Sequence, residues 1–410
     1  MSRRMPLHLF QGYGVELEYM IVDRHTLAVL PIADLLLNQV AGQIVNEVDH
    51  GELCWSNELA LHVVELKTNG PAKALDSLSQ LFGEQVAEIN GLLEPYGGML
   101  MPGAMHPWMN PDKECRLWPH GNRSIYEAYD RIFGCQGHGW SNLQSAHLNL
   151  PFADDIEFGR LHAAVRLVLP LLPSLSAASP VMNGRPTGLL DNRLEVYRFN
   201  QAKIPSITGQ VMPEAVFTPQ DYKKVILETM YRDIAVHDRD GVLQKEWLNS
   251  RGAIARFDRN TIEIRLLDVQ ECPAADLAIQ KLVVSVLKEL VGESNVAWPQ
   301  QKLWHESFLA SLFASVLKEG QLCRIDDSRF LGMFGFNQSN LSVNELWKKL
   351  AERLIPQDDP SWVVLRTIFE EGPLAQRLLV ALGAHPDNSR LVEVYRKLCD
   401  CLQHGVLFHG

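Results

Sequence analysis

Residues Gly14-Val15-Glu16-Leu17-Glu18-Tyr19 set two carboxylates two positions apart inside an apolar frame. Side chains of a β-strand alternate between faces, so Glu16 and Glu18 point one way while Val15, Leu17 and Tyr19 point the other. Like charges side by side on a covered sheet repel each other and are costly to desolvate unless a cation joins them. Carboxylate oxygens suit magnesium or manganese better than zinc, so a hard divalent metal is the economical functional reading. A solvent-facing strand carries the same pattern at no cost, and on this stretch alone it is the preferred reading. Three further strands repeat the arrangement and shift the balance.

The second strand candidate, Leu59–Thr68, is flanked by Glu58 and contains Glu65 within an apolar run. A separation of seven puts these two on opposite faces of a regular strand, so both reach one site only if Glu58 lies at the strand's mouth or a bulge intervenes. The third, Ala146–Leu150, aligns His147 and Asn149 on one face. Such a pair suits a metal or a nucleotide phosphate, although a lone strand histidine is commonly a hydrogen-bonded core residue. The fourth and fifth, Ala253–Phe257 and Thr261–Asp268, read as a hairpin turning at Asp258-Arg259-Asn260. Glu263 and Arg265 share a face there, and Arg256 lies on the paired strand. Cross-strand ion pairing is the plain explanation. The functional one gives Glu263 to a metal and Arg256 and Arg265 to phosphate oxygens, which guanidinium forks bind bidentately. Strands carrying inward polar pairs form a face that is either open to water or the floor of an active site. Metals together with arginines point to a nucleotide triphosphate.

Composition sets the outer bounds. The 410 residues suffice for a large core, and 46% hydrophobic with 21% charged residues describes an ordinary globular protein. A formal net charge of -11 argues against a general nucleic-acid or anionic-membrane binder. Met1-Ser2-Arg3-Arg4-Met5-Pro6 lacks the apolar core of a signal peptide behind its arginines, and no apolar run reaches membrane-span length. Seven scattered cysteines fit reduced thiols, so a cytoplasmic location is expected. Cys54, Cys115 and Cys135 read as packing residues.

Helical periodicity runs over Ala74–Leu93 and Glu157–Leu172, and after about Asp276 the chain reads as helical to its end. Hairpins interspersed with helices predict an α+β class with an antiparallel sheet. The expected division is a catalytic region over 1–292 and a helical extension over 293–410 packed on it as a cap. No glycine-rich phosphate loop follows any strand.

In order along the chain, Gly14-Val15-Glu16-Leu17-Glu18, Glu65-Leu66-Lys67-Thr68, Gln144 to Asn149, Ser176-Ala177-Ala178-Ser179-Pro180 and Glu263-Ile264-Arg265-Leu266-Leu267-Asp268 resemble the motifs of glutamate–cysteine ligase family 2. Met105-His106-Pro107 and Arg193 are similar too, and the resemblance spans roughly residues 10 to 290. The sequence departs from the family where Asn149 stands in place of a second histidine and where Pro151 replaces a small residue. The resemblance implies a glutamine synthetase-like fold, a curved antiparallel sheet forming a funnel flanked by helices. It implies ATP and Mg2+ (or Mn2+), with Glu16, Glu18, Glu65, Glu263 and Glu58 as metal ligands. His147 would lie beside metal or nucleotide, Asn149 beside the nucleotide, Arg265 on the transferred phosphoryl group, and Arg193 on a carboxylate or phosphate.

The implied activity is an ATP-dependent carboxylate–amine ligase of glutamate–cysteine type working through an acyl phosphate. A guanidino-type kinase of the same fold and a catalytically idle ligand-binding homologue are the alternatives. The expected partners are small amino acid substrates, with no nucleic acid and no membrane. His106, Arg123 and Tyr126, from a Pro- and Trp-rich stretch between two strands, are candidates to line the substrate pocket. The helical tail offers a surface for a homodimer, and its amphipathic stripes would equally suit packing inward.

Overall fold

The computed structural model describes residues 6–410, and the arginine pair Arg3-Arg4 lies outside them. The strands are β1 Gly14–Asp23, β2 Glu47–His50, β3 Leu53–Asn57, β4 Val63–Thr68, β5 Gly98–Met101 and β6 Ser145–Pro151. After them come a two-strand ribbon of β7 Val181–Met182 with β8 Arg185–Pro186, then β9 Ala253–Arg256 and β10 Thr261–Asp268. A second ribbon, β11 Arg324–Ile325 with β12 Leu341–Ser342, interrupts the tail read as helical throughout. The main sheet has eight strands in the order β2-β3-β4-β1-β6-β10-β9, with β5 added to β1, and every pairing is antiparallel. The class is therefore α+β, with the antiparallel sheet the hairpins call for.

Register carries the sequence alternation across the sheet. Glu16 stands opposite Lys67 on β4 and His147 on β6; Glu18 stands opposite Glu65, and Glu263 opposite Asn149. One face is thus polar across four strands. The other presents Val15, Leu17, Tyr19, Val64, Leu66, Leu148, Ile262 and Ile264, all buried in a single cluster. Helices Leu78–Leu93, Asp155–Val168 and Pro273–Val291 supply the rest of that layer through Phe82, Val86, Leu161, Val165, Leu282 and Val283. Full burial of such a side chain is worth roughly 1.5–3 kcal/mol, so the apolar layer carries the stability that leaves the other face free for chemistry.

Two irregularities shape the polar face. Ile264 pairs with Leu148 and Leu267 with Ala146, so β10 spends three steps where β6 spends two. This bulge resets the alternation, and Asp268, opposite Ser145, rejoins the face that carries Glu263 and Arg265. The second irregularity is on β1. Met20 pairs with both Val63 and Met101, so β5 lies on the edge that β6 occupies from Gly14 to Leu17, and Glu18 falls at the break between them. Beyond Glu18 the same face turns apolar at Met20 and Val22. There it is covered by helices Leu374–Leu382 and Asn388–His404, through Leu374, Leu378, Leu391, Val394 and Leu398. The tail helices Glu306–Glu319, Val343–Leu354 and Ser361–Glu371 share the large cluster under the sheet.

Several boundaries differ from the sequence reading. The run Leu59–Thr68 is not one strand: Ala60 bridges Leu117 and Leu61 N–H donates to Arg116 O, so the apolar residues before Val63 pair outside the sheet. Strands β2, β3 and β5 were not anticipated, being only four or five residues long. The helix read from Ala74 begins at Leu78, with Leu75 buried ahead of it, which accounts for the apolar periodicity. The helix read as Glu157–Leu172 ends at Val168 in a short 3-10 turn, because Pro170 has no N–H to continue the ladder. Asp154 caps its start, accepting from the Ile156 and Glu157 N–H groups. Among the described residues no helix is long and apolar enough to cross a membrane.

Candidate active site

The polar face is a hydrogen-bonded row of carboxylates. Glu16 accepts from Asn149 Nδ2 at 3.0 Å and meets His147 Nδ1 at 2.9 Å. Glu18 accepts from the backbone N–H of Ser145 at 2.8 Å and its hydroxyl at 3.0 Å, filling the break in the β1 edge. Glu65 accepts from Ser56 Oγ at 2.8 Å and pairs with Lys67 Nζ at 3.0 Å. Glu263 is held by Arg265 Nε at 2.7 Å and by Arg256 Nη1 at 3.5 Å. Glu58 lies between β3 and β4, at the mouth of the hairpin, so it reaches the face that Glu65 occupies despite the separation of seven.

The electrostatics of this row are lopsided. Burial alone would raise Glu16, but the hydrogen bond and charge of His147, with Lys67 and Arg265, outweigh it and hold the carboxyl at about 2. Burial would lower His147, but Glu16 and Glu18 push it up to about 9. At the other end, burial and the charges of Glu16 and Glu18 push Glu65 up to about 7, against Lys67 and Ser56. Burial with Glu65 and Glu18 drives Glu58 well above the carboxylate range. The cluster therefore holds more acid than its own cations neutralise.

That excess is what a hard divalent cation would relieve. Glu16, His147 and Glu263 bring one donor atom each within 4.8 Å of one another, and so do Glu18, Glu65 and His147. Carboxylate oxygens with a single imidazole nitrogen match magnesium or manganese. The donor set fits the metal the sequence calls for.

The row separates two cavities. The first, about 500 Å³, is bounded on the row's side by Glu18, Glu58, His147, Arg193 and Arg265. The second, about 580 Å³, is bounded by Glu16, Lys67, Thr68, Asn149 and Arg259. Arg193 sits at the start of helix Asn192–Tyr197, which Asp191 caps by accepting from Leu194 N–H at 2.7 Å. Its Nε is bound by buried Asp268, which also accepts from Ala178 N–H at 2.8 Å and Ser179 Oγ at 3.3 Å. The Arg193 Nη atoms have only long contacts of 3.4 Å to Arg265 O, so the fork faces the first cavity with donors to spare.

Not every candidate reaches the row or a cavity wall. His106 is fully buried, with Nε2 on Leu27 O at 2.7 Å and burial pushing it down to about 4. It braces the loop and borders neither cavity. Arg123 is exposed and pairs with Glu127 at 2.6 Å, while its neighbours Asn122 and Tyr126 line the first cavity. Helical geometry turns Arg123 outward, since residues 122, 125, 126 and 129 share one side of the helix Arg123–Phe133. Tyr126 is in the wall, its hydroxyl accepting from Asn57 Nδ2 at 3.0 Å. Arg256 is on the polar face but is shared between Asp258 and Glu263 and borders neither cavity. Cys54 borders the second cavity, and burial and Glu47 push its thiol up to about 12, so it is no nucleophile.

The structure adds Lys67, Ser145, Asp268, Arg259 and Trp247. Lys67 was legible, being in phase with Glu65 in Glu65-Leu66-Lys67. Asp268 closes the Glu263–Asp268 motif, but its place on this face was not legible, because its phase depends on the bulge.

Comparison with known proteins agrees with this geometry. The family model for "Glutamate-cysteine ligase family 2" matches residues 13–315. An uncharacterized protein of Archaeoglobus fulgidus is 31% identical over 399 residues, covering 96% of this chain and 99% of that one. The crystal structure of glutamate–cysteine ligase from Francisella tularensis, in complex with AMP, superposes with a TM-score of 0.60 at 12% identity, covering 95% of this chain and 88% of that one. A bifunctional glutathione synthetase from Pasteurella multocida has a TM-score of 0.55 at 14% identity, over 97% of this chain and 53% of that one. The sheet, its acidic row and the match over most of the chain together place this protein in glutamate–cysteine ligase family 2.

Proposed function

We propose that this protein is an ATP-dependent carboxylate–amine ligase that activates the γ-carboxylate of glutamate, or of a similar amino acid, as an acyl phosphate and transfers it to an amine. The observation that carries the reading is the acidic row between two cavities, each walled by cations. Nucleotide in the second cavity, beside Lys67 and Arg259, would direct its terminal phosphate over the row. The carboxylate and the amine would meet it from the first. AMP in the Francisella tularensis enzyme of this fold supports a nucleotide role.

Glu16, Glu263 and His147, with Glu18 and Glu65, would hold magnesium or manganese, and Glu58 adds a carboxylate at the margin. When bound, the metal supplies charge neutralisation for the phosphate oxygens. The remaining work falls to the chain. Arg265, fixed by Glu263, steadies the transferred phosphoryl group, and Arg193, fixed by Asp268, holds a carboxylate through its free fork. The buried floor limits water, which would otherwise hydrolyse the acyl phosphate. No protein nucleophile is needed.

The test is ADP release with ATP, magnesium and glutamate, with and without amines, followed by mass spectrometry of the product. Amine-dependent ADP release with a new amide is the expected result. A stable phosphorylated product without amide would establish a kinase, and absence of nucleotide binding would establish an idle homologue.

A further inference from the structure

The first cavity is lined by aromatic rings and, beside them, by the neutral polar groups of Asn122, Tyr197, Asn200, Gln201 and Ser250. Tyr126, Tyr129, Trp140 and Trp247 line it, with Ile125 and Leu143 between them. The Tyr129 and Trp140 rings are 5.0 Å apart and those of Tyr129 and Trp247 6.1 Å, so the rings brace one another rather than fold into the space. Among the described residues, the cations bordering this cavity are Arg193, Arg265 and His147, and all three stand on the side of the row. His147 is committed to Glu16 and Ser145.

A charge count follows. The acid half of the reaction brings two anions to this side, a carboxylate that stays free and the carboxyl that becomes phosphorylated. Two guanidinium forks with donors to spare are there to meet them. Among the described residues no further cation borders this cavity. A carboxylate on the amine would find hydrogen bonds from neutral groups such as Asn122 and Tyr197 but no opposite charge, and burying it without one is costly. An aromatic wall instead favours an apolar or aryl body, and ring faces tolerate the approaching ammonium. A cavity of about 500 Å³ lies within the usual range for drug-sized ligands.

We infer that the amine partner of this ligase is a primary arylalkylamine without a carboxylate, received by Tyr126, Tyr129, Trp140 and Trp247, rather than cysteine or another amino acid. The inference rests on the ligase reading. The new bond is N–C: the amine nitrogen attacks the acyl phosphate carbon, the C–O bond to phosphate breaks, inorganic phosphate leaves and the ammonium gives up two protons. One of these stays on the phosphate and one passes to solvent.

Hydroxylamine, a small nucleophile that makes no demand on the wall, separates the inference from its foundation. With ATP, magnesium and a panel of carboxylic acids headed by glutamate, hydroxamate formation reports the acid half alone. The same mixture is then run with 2-phenylethylamine, its 4-hydroxy analogue, phenylalanine and cysteine. The expected result is hydroxamate, with kcat/KM for an arylalkylamine at least tenfold above those for phenylalanine and cysteine. Hydroxamate with cysteine or phenylalanine equal to or ahead of the aryl amines overturns the inference and leaves the ligase reading standing. No hydroxamate and no ADP with any acid removes both.

Two variants probe the wall. Trp247→Ala is expected to raise KM for 2-phenylethylamine at least tenfold relative to that for hydroxylamine. Ile125→Arg supplies the missing cation and is expected to shift the phenylalanine to 2-phenylethylamine ratio at least tenfold toward phenylalanine. An unchanged ratio in a folded Ile125→Arg protein overturns the charge count.

Discussion

Replacing Asp268 with asparagine tests whether the guanidinium at the cavity is held by a buried charge. Both side chains of the Arg193–Asp268 pair are nearly inaccessible, at 3% and 0% exposure, so water screens little of the interaction. Removing one partner of such a pair costs about 3–5 kcal/mol, because the remaining charge stays buried without compensation. The amide oxygen of the Asp268→Asn variant would still accept from Ala178 N–H, so the backbone contact is kept while the charge is lost. Against a typical total of about 5–15 kcal/mol, the loss is large enough to move a urea unfolding midpoint clearly. Arg193→Met alone strands Asp268 beside Asp191, also buried, and is expected to cost a similar amount. The double variant removes both charges at nearly constant volume and should recover about 2–3 kcal/mol of the summed loss. Turnover should be lost in all three, because the fork is either unanchored or gone. Asp268→Asn within about 1 kcal/mol of the parent, or a double variant no more stable than the sum of the singles, would refute the coupling.

Glu16→Gln keeps volume and removes a ligand, so magnesium-dependent turnover should vanish with circular dichroism unchanged; full activity would sink the metal row. Manganese titrated into the metal-free protein should raise the melting temperature as mass action requires, and Glu65→Gln should blunt that rise; an equal response in the variant would remove Glu65 from the ligand set. Burial holds both His62 and His106 near 4 against 6.5 when unfolded, so the unfolded chain takes up protons first as pH falls. Their contribution is intact above about pH 6.5 and falls by up to roughly 3 kcal/mol per pH unit between there and pH 4. Glu58 and Glu65 contribute in the opposite direction, because their raised carboxyls take up protons in the folded state. The stability lost in a His106→Gln variant should therefore shrink as pH falls through that window, and a loss independent of pH would contradict it. Gly159→Ala improves helix propensity by about 1 kcal/mol, yet the new Cβ would lie 2.4 Å from Phe217 O, so net destabilisation of about 1–3 kcal/mol is expected in urea melts; a stabilised variant would show that the backbone yields there.

The alternation of charge and apolar side chains in Glu16-Leu17-Glu18 and Glu263-Ile264-Arg265 was enough to place a polar face over an apolar one, because strand parity is a local property. His147 and Asn149 joined that face for the same reason. What parity does not encode is where it slips. The β10 bulge put Asp268 beyond such reading, whereas Glu58 reaches the row from the strand's mouth, one of the two routes its separation of seven from Glu65 allowed. His106 and Arg123 lie away from the cavities for other reasons: His106 is placed by partners far away in sequence, Leu27 and Asn142, and Arg123 by the phase of a helix whose other side lines the cavity. Position between two strands says nothing of which way a side chain turns. The aromatic wall combines Tyr126, Tyr129 and Trp140 with Trp247, about a hundred residues apart, and only the fold brings them together.

The order in which the sheet is strung has a consequence for synthesis. Strands β1 to β4 follow one another between Gly14 and Thr68, but β6 gains its outer neighbour only when β10 emerges, as far on as Asp268. Translation at about 5–20 residues per second leaves the β6 edge waiting for several seconds, open to chaperones and to other nascent chains. The helices that cover Met20, Val22 and Met101 follow much later still, from Leu374 onward. A product that stops short of them displays that apolar patch beside an acidic floor, a surface prone to aggregation.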